Sequence, residues 1–234
     1  MFGNNKILSP AIHDGDFLEV QEIFATLQGE GIFAGQPAVF IRLGGCNLSC
    51  KFCDTEFDNF EKISLENILQ RTIDLSLNQA KKRVRNLVVI TGGEPLRQPI
   101  EKLCSKLIAD NFLVQIETNG TLFRNIPNAV KIVCSPKASK KNSSSSDSDL
   151  KYYSIRPDLL TRIDNFKFII SANQIDYSSV PELGQSKYNI PVFVQPMDEY
   201  NQQKNHDNLK LALKLCEENG YFLSLQIHKI VGLR

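Results

Sequence analysis

A chain of 234 residues, 42% hydrophobic and 23% charged, can bury a substantial core as one large domain or two small ones. Its formal net charge of +1 provides no field to recruit nucleic acid or an anionic membrane surface. No run of about 18 apolar residues suggests a membrane span, and the opening MFGNNKILSPAIHDGD lacks the basic-then-apolar pattern of a signal peptide. The expectation is a cytoplasmic protein with neither a nucleic-acid nor a membrane partner.

In chain order, the first apolar β-branched run is VFIRL (39–43), followed at once by GGCNLSCKFCDTEFD (44–58). Ser64 is placed to cap a helix carrying Leu65, Ile68 and Leu69. After the run LVVIT (87–91), the residues Ile100, Leu103, Cys104, Leu107 and Ile108 follow helical spacing, with Pro99 suited to a first turn. LVQIE (113–117) and VKIVC (130–134) precede SKKNSSSSDSD (139–149), a polar, apolar-free stretch that reads as a mobile surface insertion. FKFII (166–170) and VFVQP (192–196) come next. Leu209, Ala212, Leu213 and Cys216 then repeat the helical spacing up to a stop at Gly220, and LSLQI (223–227) is the last run.

Runs without alternation read as strands buried on both faces, as in a parallel sheet covered by helices. Strand alternating with helix argues for an α/β architecture. There is too little chain for a full eight-unit barrel of ~250 residues, so an incomplete TIM-like barrel spanning 1–234 as a single domain is expected. In such folds ligands gather beyond the carboxyl ends of the strands. Arg42 and the cysteine loop follow the first of these strands, TGGEP (91–95) the second and ETNG (117–120) the third. SPK (135–137) and QPMD (195–198) follow later ones. Any one of these would pass as a turn. Together, beside a thiol cluster, they point to a site.

In a reducing compartment six cysteines argue for metal or redox chemistry rather than a disulfide framework. Cys104, Cys134 and Cys216 stand singly among apolar neighbours and read as small buried hydrophobes. Cys46, Cys50 and Cys53 are different. A zinc finger would show paired Cys-x-x-Cys motifs or a spaced histidine pair, and His13, His206 and His228 have no such spacing. A redox pair would leave Cys46 unexplained. An iron–sulfur cluster takes thiolates from a short loop, and three on a four-iron cube leave one iron open, the mark of a catalytic metal. Gly92 and Gly93 would let backbone approach a zwitterionic ligand closely.

The spacing Cys46-x-x-x-Cys50-x-x-Cys53, with Phe52 before the last cysteine, resembles the signature of the radical S-adenosylmethionine superfamily, and TGGEP resembles its methionine-binding segment. FATLQGEGIFAGQPAVFIRLGGCNLSCKFCDTEF (24–57), with ETNG, SPK, QPM and the closing LQIHKIVGLR, resembles the 7-carboxy-7-deazaguanine synthases within it. That resemblance implies the incomplete-barrel fold and a lyase acting on 6-carboxy-5,6,7,8-tetrahydropterin. It also implies one 4Fe-4S cluster on Cys46, Cys50 and Cys53, with S-adenosylmethionine chelating the open iron, and a Mg²⁺ held by Thr55. The cofactor would be met by Phe52, Asp54, Gly93, Glu117, Ser135, Pro136, Lys137, Gln195, Pro196, Met197 and Asp198. The substrate would be met by Leu27, Gln28, Gly29, Glu30 and Thr91, and by Arg42, whose planar fork matches a carboxylate bidentately. A structural salt bridge is the alternative for Arg42. A flavodoxin-like electron donor and a homodimer are implied as partners. The bare three-cysteine motif also suits an activase of a glycyl-radical enzyme, and a zinc-binding structural module is the alternative outside enzymes.

Overall fold

The structure is a computed structural model that describes residues 5–50, 53, 55–139 and 152–233. Strands are β1 (Phe17–Leu27), β2 (Pro37–Leu43), β3 (Glu61–Ser64), β4 (Leu87–Gly92), β5 (Leu113–Thr118), β6 (Lys131–Cys134), β7 (Asn165–Ile170), β8 (Val192–Pro196) and β9 (Phe222–Leu223). Helices are α1 (Leu65–Ser76), α2 (Glu101–Ala109), α3 (Pro157–Leu160), α4 (Gln185–Tyr188), α5 (Gln202–Asn219) and α6 (Ile227–Ile230). They fall into two compact units. One holds residues up to Thr118, Leu122–Ile132 and the chain from Gln226 on; the other holds Asn119–Thr121 and Val133–Leu225.

In the first unit β2, β4 and β5 run parallel, with Arg42 opposite Thr91 and Ile90 opposite Ile116. Their apolar runs are buried on both faces, with Ala38, Val39, Ile41 and Leu43 of β2 and Leu87 to Ile90 of β4 fully covered. Two strands lie outside the expected set: β1 pairs antiparallel with β2, and β3 pairs antiparallel with β1. Glu19, Gln21 and Glu22 break the apolar run of β1, so periodicity alone hides it. The capping role of Ser64 holds: its hydroxyl accepts from the Asn67 N–H at 3.3 Å. Pro99 falls outside α2, whose cap is Ile100, while Leu103, Cys104 and Leu107 are buried as the spacing predicts.

In the second unit the end of β6 pairs parallel with β7, β7 with β8, and β8 with the two residues of β9. LSLQI therefore supplies only part of a strand. Ser224 turns its hydroxyl onto the Gln195 carboxamide at 3.0 Å, and the residues from Ile227 form α6. Gly220 ends α5 in a left-handed conformation, as expected. The buried face of that helix is one residue away from the apolar stripe, however. Asn208 and Ala212 are buried, whereas Leu213 is exposed and Cys216 only partly covered.

The reason lies in Asn208, which is fully covered yet completely bonded. Its carboxamide donates to the Met197 carbonyl (2.9 Å) and the Glu199 carboxylate (3.1 Å), and accepts from the Ala172 N–H (2.8 Å). A buried polar group with all its partners outweighs an alternative register that would strand them. The residue pins the segment after β8 to α5. Asn208→Ala is expected to lower unfolding stability by roughly 1–3 kcal/mol, because it strands buried partners. Urea unfolding checks this, and an unchanged midpoint would show that the network is not holding the segment.

Candidate active site

The carboxyl ends of β2 and β4 meet backbone to backbone. Past the last paired residues, the Gly93 N–H donates to the Leu43 carbonyl and the Glu94 N–H to the Gly45 carbonyl, each at 3.0 Å. Gly92 has φ 122° and Gly45 φ 73°, conformations that side-chain-bearing residues rarely adopt. A Cβ on Gly92 would strike Leu43 backbone, and one on Gly93 would strike the Gly45 carbonyl. These glycines therefore answer first to the neighbouring strand end, where close approach to a ligand was the expected reason.

This seam starts the cysteine loop. Gly44 and Gly45 lead directly into Cys46, and buried side chains from the segment after β4 hold them. Arg97, 4% exposed, is ion-paired with Glu19 and donates to the Gly44 carbonyl at 3.0 Å. Gln98 donates to the carbonyls of Glu19 (2.9 Å) and Gly44 (3.2 Å) and accepts from the Glu19 N–H (2.7 Å). Glu94 is fully buried, and its carboxylate accepts from the Leu96 N–H (2.9 Å) and the Thr118 hydroxyl (2.7 Å), tying β4 to the end of β5. Sequence reasoning carried Glu94 only as part of TGGEP, and assigned no role to Glu19, Arg97 or Gln98. Their signal was polar side chains, three of them charged, within or just after otherwise apolar strands.

Cys46 is buried, while Cys50 and Cys53 are partly covered, and a turn brings the Cys53 N–H to the Cys50 carbonyl at 3.2 Å. Burial pushes the Cys46 thiol up to about 12, with the charges of Glu94, Cys50 and Cys53 adding to the rise. Such a thiol stays protonated in water but ionises when a metal takes its sulfur. Among the described residues, no three His, Cys, Asp or Glu side chains are grouped closely enough for a single metal ion. The three thiols lie on one loop, and such sulfur donors fit the cluster expected from their spacing. Thr55 follows, its carbonyl accepting from the Asn5 carboxamide at 2.8 Å. Phe52 and Asp54 lie outside the described residues, as do residues 140–149 of the Ser/Asp stretch.

Of the other expected site residues of the first unit, Gln28 and Glu117 form a second polar group. Gln28, 2% exposed, donates to the Glu117 carboxylate at 3.1 Å, and Gln115 donates to the same oxygen at 3.0 Å. Glu30 accepts from Gln226 at 2.9 Å, and a Cβ on Gly29 would strike the His228 ring. Leu27 ends β1 opposite Pro37, and Thr91 lies opposite Arg42. The Arg42 guanidinium already has an anion: it is ion-paired with Glu22 across the β1–β2 ladder and lies over the Phe24 ring at 5.2 Å. With 27% of its side chain exposed, it still has a face open to solvent.

In the second unit Lys137 donates to the Ser135 carbonyl (2.6 Å) and hydroxyl (2.8 Å), with Pro136 between them. Gln195 and Pro196, the last residues of β8, lead to Met197, whose sulfur accepts from Gln174 at 3.1 Å, and to Asp198, which accepts from Asn205 at 2.8 Å. The glycine seam of the first unit yields a direct test. Gly93→Ala is expected to cost roughly 1–3 kcal/mol by overpacking and to displace the start of the cysteine loop. Anaerobic reconstitution of that variant should bind markedly less iron than wild type; full iron uptake would show that the seam does not position Cys46.

Comparisons with known proteins bear on the family and the fold. A family model described as the radical SAM superfamily matches residues 40–134, which span β2, the cysteine loop, β4 and β5. A 7-carboxy-7-deazaguanine synthase of Rickettsia prowazekii is 55% identical over 100% of this chain and 96% of its own length. One from Rhodospirillum rubrum is 39% identical, with both chains fully covered. The crystal structure of QueE from Escherichia coli aligns with a TM-score of 0.72 and 26% identity, covering 91% of this chain and 95% of the other. The fold class is thus the radical SAM one expected, a parallel α/β incomplete barrel. The superfamily implies a 4Fe-4S cluster and S-adenosylmethionine. This chain belongs to the 7-carboxy-7-deazaguanine synthase family.

Proposed function

We propose that this chain is a lyase that converts 6-carboxy-5,6,7,8-tetrahydropterin to 7-carboxy-7-deazaguanine with loss of ammonia, a step toward queuosine and related 7-deazapurines. The observation that carries this reading is 55% identity, over the whole chain, to a relative of that name. The cysteine loop supports it, because three thiols on a glycine seam suit a cluster with one open iron. When bound there, cluster and S-adenosylmethionine supply a 5′-deoxyadenosyl radical for abstraction of hydrogen from the pterin C6.

The chain's own task is to hold and orient these groups and keep water out. Cys46, Cys50 and Cys53 are the cluster ligands. Phe52, Asp54, Gly93, Glu117, Ser135, Pro136, Lys137, Gln195, Pro196, Met197 and Asp198 are the cofactor contacts. Leu27, Gln28, Gly29, Glu30 and Thr91 meet the substrate. Thr55 is the Mg²⁺ ligand, an acceptable role for a neutral hydroxyl because magnesium keeps several waters and takes few protein ligands. Arg42 receives the substrate carboxylate, sharing its guanidinium with Glu22: five N–H donors in a fork can serve two anions on different edges. A flavodoxin-like one-electron donor, a homodimeric assembly and a cytoplasmic setting belong to the same reading. Among the described residues, no helix is long and apolar enough to cross a membrane.

Reduced, reconstituted protein given S-adenosylmethionine and 6-carboxytetrahydropterin under argon should form 7-carboxy-7-deazaguanine and release ammonia. Formation of 5′-deoxyadenosine without that product would leave the superfamily chemistry standing and refute the substrate. Arg42→Ala should retain iron and weaken substrate binding roughly ten- to a hundredfold, the loss of a charged hydrogen bond. Loss of iron along with substrate binding would make Arg42 part of the scaffold, held by Glu22.

A further inference from the structure

The segment that precedes β1 lies along the cysteine loop. The Leu8 N–H donates to the Cys46 carbonyl at 2.8 Å, Ile7 forms a parallel bridge with Cys46, and the Lys6 N–H lies 3.2 Å from the Asp58 carboxylate. Within it Asn5 is only 8% exposed. The Asn5 carboxamide oxygen accepts from the Phe57 N–H at 2.8 Å, and its nitrogen donates to the Thr55 carbonyl at 2.8 Å. The same nitrogen lies 3.6 Å from Cys53 Sγ, a donor distance suited to the larger radius of sulfur. With its oxygen fixed by Phe57, the amide cannot flip without losing both ends, so the second hydrogen of its NH₂ group is directed at the sulfur.

We propose that Asn5 is a positioning residue that tunes the iron–sulfur cluster by donating an N–H···S hydrogen bond to the Cys53 thiolate. This rests on the functional reading above, which makes Cys53 a cluster ligand. Hydrogen bonds to cluster sulfurs help to set the reduction potential, because a donor stabilises the more negatively charged reduced form. The bond makes the cluster easier to reduce by whatever one-electron donor serves it. The same amide joins Cys53 to Thr55 and Phe57, so it also fixes the backbone on which the proposed magnesium ligand stands.

The experiment is a potentiometric titration of the anaerobically reconstituted full chain, followed by electron paramagnetic resonance, with iron content measured on each sample. Asn5→Leu, which removes the donor, should lower the midpoint. At the wild-type midpoint the ratio of reduced to oxidised cluster should fall severalfold, a tenfold fall in that ratio corresponding to about 59 mV for a one-electron couple. Asn5→Asp keeps an acceptor for the Phe57 N–H, replaces the donor by an anion, and should shift further in the same direction. It carries the test if the leucine variant takes up no iron. Asp58→Asn, which touches the same segment but not the sulfur, should not lower the midpoint, since loss of a negative charge favours the reduced cluster. An unchanged midpoint at full iron content in the Asn5 variants would overturn the proposal, as would an equal fall in Asp58→Asn. A wild-type protein that forms no four-iron cluster would instead overturn the functional reading and this inference with it.

Discussion

The site depends on one backbone contact. Where β2 and β4 end, Gly92 and Gly93 lie against the backbone of Leu43 and Gly45 with no side chain between them. Two hydrogen bonds extend the parallel ladder one step beyond the strands, into the residues that carry chemistry. A parallel ladder normally stops where its strands diverge into loops. Here it continues because glycine permits both the positive φ and the separation. Cys46 follows on one side of the seam and Glu94 on the other.

Charge buried beneath that seam keeps it closed. The Arg97–Glu19 pair would be costly as an isolated buried ion pair. It is compensated by further hydrogen bonds: the guanidinium also donates to the Gly44 and Ser9 carbonyls, and Gln98 bonds the Glu19 backbone on both sides. Removing either charge would leave the other buried without its counterion, which is the more damaging change. The polar interior here thus serves geometry more than stability. It brings β1, the cysteine loop and the segment after β4 to one place. Across the same sheet, Glu94 and Thr118 carry that order to the end of β5, where Glu117 stands.

Much of this was legible in the amino-acid sequence, for identifiable physical reasons. The six apolar runs from VFIRL to VFVQP became strands because residues covered on both faces need no alternation. The cysteine spacing was legible because ligand geometry leaves a local trace. The antiparallel β1 was not, since Glu19 and Glu22 look like surface residues until their arginine partners, 78 and 20 residues away in the chain, are known. Asn208 illustrates the same limit: a polar residue took the buried face of α5 from Leu213, through partners that no helical period reveals. The glycines of TGGEP were recognised, but their close packing against another strand end was not foreseen. Long-range polar pairing is the information that a linear reading lacks.

The central claim is that three thiols suffice because the fourth iron position is kept open for a cofactor. Electron paramagnetic resonance of the reduced cluster, recorded with and without S-adenosylmethionine, tests it most directly. An open iron predicts a reduced four-iron signal whose g-values change when S-adenosylmethionine is added, and it predicts no such change with S-adenosylhomocysteine stripped of its amino acid end. A signal indifferent to S-adenosylmethionine, or colourless protein carrying one zinc per chain, would contradict the account.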